Sequence, residues 1–186
     1  MMGEFSRVYK TELSDVQLGS VWERFVECDR DQHIFYNKPP MDGKDFARFC
    51  RDEDVHLWVI LFRDEIAGIF WLTGHEGKTA YCHFGQLPTK AKRTAEKIPV
   101  QLGFGRYCLG TALWAHDGQD FLLDRLLGMT PLCNRSAVRL IDRLGAQPAG
   151  IIPGACFFNE SGKNEDGIAT YYTRETVPVE SAFLGR

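Results

Sequence analysis

Residues 126–140 of the chain read LLGMTPLCNRSAVRL, and this stretch decides the fold. Its first half is rich in leucine and ends at Thr130-Pro131, so we predict a short strand over residues 121–129. Asn134 then stands where the N-cap of a helix is expected. The apolar positions of that helix share one face: Ala137, Val138, Ile141 and Leu144. The stretch therefore predicts a strand, a short connection and an amphipathic helix.

Three segments upstream predict a β-meander. Residues 55–62 are nearly continuous β-formers, residues 66–72 follow a charged turn, and residues 79–85 follow a second turn. A polar, basic segment comes next. A helix is then predicted from about Thr94 or Lys97 to Trp114, with Pro99 near its first turn.

The two ends of the chain complete the order of elements. A weak strand is predicted over residues 5–10, followed by a helix that a capping box of Ser14 and Gln17 begins and by a shorter helix near residues 46–50. Two more strands are predicted near residues 150–152 and 168–173. Residues 175–186 show no pattern and are interpreted as a tail of a single domain, residues 1–186.

Composition excludes several classes of protein. The 186 residues are 44% hydrophobic and 25% charged, with a formal net charge of −3, which argues against a general nucleic-acid binder. No apolar run reaches the roughly 18 residues of a membrane helix. The six cysteines form no Cys-x-x-Cys pair, so no metal site is predicted. With no apolar leader at the N-terminus, we expect a cytoplasmic protein without a membrane partner.

The element order and three motifs resemble the GNAT superfamily of acyl-CoA-dependent N-acyltransferases. Asn134, Ala137 and Leu140 match its N-x-x-A-x-x-L pattern, Ile66-Ala67-Gly68-Ile69 resembles its second hairpin strand, and Leu144-Gly145-Ala146 resembles the end of its helix. The resemblance spans residues 5–174. It implies an α/β (α+β) fold with a mixed, mostly antiparallel sheet of six to seven strands and about four helices.

The resemblance also implies an acetyl-CoA site where the third meander strand and the next strand diverge. Backbone groups of Phe84 and Gly85 are expected to pair with the pantetheine arm, and Asn134 to contact it while capping the helix. The family's phosphate loop, Q/R-x-x-G-x-G/A, is replaced here by Lys90-Ala91-Lys92-Arg93-Thr94-Ala95.

Within that segment we expect the cofactor phosphates to contact Lys90, Arg93, Thr94 and Ala95. In place of the missing glycine, the cations Lys90, Lys92, Arg93 and Lys97 can supply charge-assisted hydrogen bonds to the phosphates. A solvated basic loop is an equally good interpretation. The later glycines Gly103 and Gly105 match the same spacing and are ranked lower, because they fall within a helical pattern. Arg135, Arg139 and Arg143 are interpreted as facing water.

Three side chains are candidates for proton transfer. Tyr81 and His83 share one face of the third meander strand, and His83 has an ordinary pKa of about 6.5. Tyr172, on the last strand, is the third. A histidine packed beside the core and aromatic residues used for packing are the alternatives. Ile141 stands where the family often has a tyrosine, and Cys133 has no evident activating base.

Three functional hypotheses follow. The first is an N-acetyltransferase that uses acetyl-CoA and a small-molecule or peptide amine. The second is an inactive GNAT-fold binding or regulatory module. The third is an unrelated α+β binding domain, which would be favoured if the strands over residues 79–85 and 121–129 were not adjacent and parallel. Acidic residues in the loops over residues 29–43 and 154–166 favour a cationic acceptor, and the fold allows a homodimer through its sheet edge.

Overall fold

A mixed sheet organises the chain. The computed structural model describes residues 4–30, 34–95 and 98–177, and within them seven strands lie in the order β1-β2-β3-β4-β5-β7-β6. The strands are β1 (Phe5–Tyr9), β2 (His56–Phe62), β3 (Glu65–Glu76), β4 (Thr79–Gln86), β5 (Arg125–Pro131), β6 (Gln147–Phe158) and β7 (Lys163–Tyr172).

Four helices accompany the sheet in the described part of the chain. They are α1 (Asp15–Glu27), α2 (Gly43–Arg51), α3 (Val100–Leu113) and α4 (Arg135–Arg143). β4 and β5 pair in parallel, and every other neighbouring pair is antiparallel. The predicted α/β fold with a mostly antiparallel mixed sheet is therefore confirmed. None of these helices is both long enough and apolar enough to cross a bilayer.

An apolar cluster covers each face of the sheet, because successive strand residues point to opposite faces. Leu57 and Ile69 pack with residues of α1 and α2, such as Phe25 and Phe46. We call this the α1–α2 face. On the other, the α3–α4 face, Phe70 packs in a cluster whose helical members include Phe104, Leu109 and Ile141.

The local signals that begin α1 and α4 act as predicted. Ser14 and Gln17 form the capping box of α1. Asn134 caps α4, where its Oδ1 accepts hydrogen bonds from the Ala137 backbone N–H at 3.1 Å and the Ser136 hydroxyl at 2.9 Å. Both caps depend on residues three positions apart, which is why sequence reveals them.

The predicted start of the third helix, at Thr94 or Lys97, is wrong. α3 begins at Val100 with Pro99 as its N-cap. Before it the chain folds back on itself: Arg93 pairs with Pro99 in an antiparallel bridge, and the Thr94 N–H donates to the carbonyl of Ile98 at 2.9 Å. Lys97 lies outside the described residues.

Three predicted strand boundaries also change. β5 begins at Arg125, not at residue 121, because Phe121 instead pairs with His116 in an isolated bridge. β6 and β7 are far longer than the patterns near residues 150–152 and 168–173 indicated. They form a hairpin in which β6 is nearly all exposed, so that no apolar alternation marks its length.

Candidate functional site

β4 and β5 pair over only three residues and then separate. Their ladder joins Thr79 to Arg125, Ala80 to Leu126 and Tyr81 to Leu127. β4 continues to Gln86 and β5 to Pro131 without further pairing between them. The two strands are adjacent and parallel, so the arrangement that would have favoured the third functional hypothesis is not found.

A cleft of about 1130 Å³ opens at this divergence. The strands contribute Phe84, Gly85 and Pro131 to its walls, and α3 contributes Gln101 and Leu102. Phe84 and Gly85 still pair with β3 on their other side. The edge of β4 that faces the cleft has no strand partner in the described chain, and its backbone polar groups can bond to a ligand.

Four cations line the cleft on the α3–α4 face: Lys92, Arg135, Arg139 and Arg143. The three arginines follow a spacing of four residues, which places them along one side of α4. None of the four forms an ion pair with a described residue. Asp142 is the single carboxylate in the described lining, so this wall has a positive potential that favours anions.

Three of the residues predicted to bind the cofactor line the cleft, namely Phe84, Gly85 and Asn134. Gly85 is closely covered, since a Cβ at this position would lie 2.4 Å from Cδ1 of Ile34. Ile34 itself packs on the α1–α2 cluster. The three residues are therefore brought together, and their contact with a cofactor stays a prediction.

The four residues predicted to contact phosphates do not line the cleft. Lys90 forms an ion pair with Glu65 at 2.9 Å, and the Ala95 N–H donates to Glu4 at 2.6 Å. Thr94 is 8% exposed, and Arg93 lies in the bridge to Pro99. Of the described cations that the sequence offered to the phosphates, Lys92 lines the cleft.

The glycines that were ranked lower lie in the first two turns of α3, where they serve packing. A Cβ at Gly103 would lie 3.0 Å from the Phe5 ring, and one at Gly105 would lie 2.6 Å from Leu144. Both glycines let α3 approach its neighbours closely. Gln101, one turn earlier, is the polar residue of this helix start that reaches the cleft.

His83 is held in a packed environment. Its ring stacks on Trp71 with centroids 4.9 Å apart, and its Nε2 lies 3.0 Å from the Thr73 hydroxyl oxygen. Burial lowers the pKa of His83 to about 4, because the low-dielectric surroundings disfavour the charged ring. At neutral pH the ring is therefore uncharged and weakly basic.

The two candidate tyrosines have opposite environments. Tyr81 is 47% exposed, and a Cβ at Gly74 on β3 would lie 3.1 Å from its ring. Tyr172 is 1% exposed in the α3–α4 cluster, and its hydroxyl has no hydrogen-bond partner in the described residues. Burial raises the pKa of Tyr172. The structure therefore places Tyr81 and His83 on one face of β4 and leaves Tyr172 in the core on the opposite face of the sheet.

Sequence reasoning missed the arginines of α4 and Arg30, which also lines the cleft. The regular spacing of Arg135, Arg139 and Arg143 was interpreted as a solvated face. The three residues are exposed, as predicted, and their exposed side lines the cleft. No described group of His, Cys, Asp and Glu residues is arranged to hold a metal ion.

Comparison with solved structures shows the fold. The chain is similar to the acetyltransferase from Salmonella typhimurium that modifies the N-terminal serine of ribosomal protein L7/L12 (10% identity, TM-score 0.67, covering 92% of this chain and 95% of that one). It is also similar to the spermidine/spermine N-acetyltransferase SpeG from Vibrio cholerae (15% identity, TM-score 0.63, covering 92% of this chain and 95% of that one). A third similar structure is that of the N-acetyltransferase PseH from Campylobacter jejuni (11% identity, TM-score 0.60, covering 92% of this chain and 99% of that one).

No protein-family model and no curated protein sequence matches the chain. The likeness is therefore one of structure, and it extends over nearly the whole of each chain compared. The chain has the fold of the GNAT N-acetyltransferases, carried by a divergent sequence.

Proposed function

We propose that the protein is an N-acetyltransferase that transfers an acetyl group from acetyl-CoA to an amine of a small molecule or peptide. The observation that carries this proposal is the divergence of β4 and β5 beyond Tyr81 and Leu127. It opens a cleft beside four cations that form no ion pair with a described residue. The shared fold with N-acetyltransferases supports it.

The polar and charged groups that line the cleft are of the types that would bind the pantetheine arm and the phosphates of acetyl-CoA. The unpaired edge of β4 at Phe84 and Gly85 offers backbone groups to the amides of pantetheine. Lys92 and the three arginines of α4 offer charge-assisted hydrogen bonds to phosphates. When bound, acetyl-CoA would supply a thioester that an amine can attack.

We propose that the main contribution of this chain to the rate is positioning. Aligning an amine with a thioester is worth an effective molarity of about 10⁵ M or more. In the reaction the nitrogen bonds to the carbonyl carbon, the carbon–sulfur bond breaks, the thiolate takes up a proton and the nitrogen releases one. His83 and Tyr81 remain the proposed side chains for proton transfer, with the low pKa of His83 making it a weak base.

Calorimetric titration with acetyl-CoA, CoA and desulfo-CoA tests the first step. Micromolar binding, followed by amine-dependent thiol release, would support the enzyme. A folded protein that binds none of the three compounds would contradict it.

The inactive binding module is the second candidate, and two observations favour it. Ile141 is 6% exposed within the core, so α4 offers no acid there, and the Tyr172 hydroxyl is equally buried. Binding of acetyl-CoA without thiol release from any amine would select this alternative.

A homodimer also stays a proposal, with β6 as the surface that suits it. β6 is an edge strand, and Ile151, Ile152 and Phe157 on it are exposed. Exposed apolar edges commonly pair with a second chain. Light scattering of the wild-type protein and the Ile151→Glu variant would test this proposal.

A further inference from the structure

The cleft opens on both faces of the sheet. Leu102 belongs to the α3–α4 cluster, whereas Ile34 packs on the α1–α2 cluster, and both residues line the cleft. A cofactor held on the α3–α4 face would leave the opening beside Ile34 for the acceptor. We call this opening the acceptor mouth.

Arg30 is a cation at the acceptor mouth. It follows α1, and its backbone N–H donates to the carbonyl of Phe25 at 2.9 Å, which fixes its backbone on the α1–α2 face. No described residue forms an ion pair with its guanidinium group. The four other cations of the cleft lie across the sheet, where the phosphates of acetyl-CoA would occupy them, so Arg30 is left for another anion.

The described lining of the acceptor mouth contains no carboxylate, since Asp142 belongs to α4 on the other face. The acidic loop residues that the structure describes lie outside the cleft lining. They include Asp29, Glu160, Glu165 and Asp166, and the last of these accepts a hydrogen bond from Gly154. Asp31 lies outside the described residues.

We propose that the acceptor amine carries an anionic group, a carboxylate or a phosphate, which Arg30 binds. This inference rests on the proposed function and specifies its substrate class. Ile34 and Phe158 line the same cleft as Arg30 and suit an apolar body between the amine and the anion. Phe158 is held in place by stacking on Tyr36, with ring centroids 5.1 Å apart.

Matched acceptor pairs test the proposal through kcat/KM from thiol release. The carboxylate pair is phenylalanine and phenylalanine amide, the phosphate pair is glucosamine 6-phosphate and glucosamine, and spermidine is the polycation. Hydrogen bonds to charged groups lead us to expect a preference of about tenfold or more for the anionic member of one pair. The pair that shows it identifies the anion.

The Arg30→Ala variant should reduce this preference to about twofold or less, since the guanidinium group is its source. Arg24→Ala is the matched control, because Arg24 is an exposed arginine of α1 that does not line the cleft. Its preference should equal that of the wild type. Equal use of both members of each pair, spermidine as the best acceptor, or a preference that survives Arg30→Ala would overturn the proposal.

Binding measurements separate this inference from the proposed function. If acetyl-CoA does not bind, the proposed function fails and the acceptor proposal fails with it. If acetyl-CoA binds and no amine in the panel reacts, the CoA complex is titrated with N-acetylphenylalanine and its amide. Preference for the carboxylate supports the role of Arg30, and equal or absent binding of the two overturns it.

Discussion

Tyr81 and Leu127 form the last pair of the parallel ladder between β4 and β5, and the two strands separate immediately beyond them. The residues of β4 and β5 that line the cleft, such as Phe84, Gly85 and Pro131, all lie past this pair. The divergence therefore does two things at once. It leaves one edge of β4 without a strand partner among the described residues, and the cations of α4 line the same opening.

The basic segment before α3 gives a sharp test of the phosphate site. Lys92→Ala should weaken acetyl-CoA binding about three- to tenfold, because Lys92 lines the cleft and charge-assisted hydrogen bonds to phosphate are lost. Lys90→Ala is the matched control, since Lys90 forms an ion pair with Glu65 and does not line the cleft. Its dissociation constant by calorimetry should stay within about twofold of the wild type. If Lys90→Ala weakens acetyl-CoA binding and Lys92→Ala does not, the phosphate contact of Lys90 that was predicted from the sequence would be supported instead.

Asn134 combines a cap with a place in the cleft. Asn134→Ala should lower the free energy of unfolding by about 1 kcal/mol, because the Ala137 N–H loses its acceptor. Asn134→Ser keeps a capping oxygen and should recover most of that loss in urea denaturation. If the serine variant is as stable as the wild type and binds acetyl-CoA more weakly, Asn134 also contacts the cofactor. Unchanged binding in this variant would limit the residue to capping.

His83 predicts a pH dependence of stability. Its pKa is about 4 in the folded protein and about 6.5 in the unfolded chain, so between these values the unfolded chain binds a proton that the folded protein does not. The contribution of His83 to the free energy of unfolding is therefore fully present above pH 6.5. It is lost as the pH falls toward 4, and the total loss is about 3 kcal/mol.

The measurement compares urea unfolding of the wild type and His83→Asn from pH 4 to pH 7.5. The variant should show a smaller loss of stability across this window. Parallel pH curves for the two proteins would contradict the burial of His83. The same variant tests catalysis, since unchanged thiol release at pH 7 would remove His83 as the base.

Tyr172→Phe separates packing from catalysis. The Tyr172 hydroxyl is buried without a hydrogen-bond partner among the described residues, and a buried unpaired hydroxyl costs about 1–3 kcal/mol. Removing it should therefore leave stability unchanged or raise it by about 1 kcal/mol, as measured by thermal and urea unfolding. Thiol release should be unaffected. A drop in turnover with intact stability would instead establish Tyr172 as a proton donor.

Gly85 tests the close cover over the cleft. In Gly85→Ala the new methyl group would lie only 2.4 Å from Cδ1 of Ile34, which is well inside van der Waals contact. We expect a loss of about 1–3 kcal/mol in unfolding free energy from this overpacking. The double variant Gly85→Ala/Ile34→Ala should recover part of the loss through relief of the clash. If the loss in the double variant equals the sum of the losses in Gly85→Ala and Ile34→Ala, the two side chains do not meet.

Much of the fold was determined by the sequence itself. The cap at Asn134, the capping box at Ser14 and Gln17, and the apolar stripes of the helices depend on residues within one or two turns of each other. The meander of β2, β3 and β4 follows from β-rich runs separated by charged turns. These signals are local, which is why order and type of elements could be predicted.

The tertiary structure decided the site. The length of the β4–β5 ladder depends on pairing between residues more than forty positions apart in the chain, such as Tyr81 and Leu127. The start of α3 depends on the bridge between Arg93 and Pro99, and no helical period reveals it. A spacing of four shows that the arginines of α4 share a side, yet only the packing of α4 against the sheet places that exposed side at the cleft. Burial of His83 against Trp71 likewise lowers its pKa through a neighbour on another strand, whose position the local pattern around His83 does not contain.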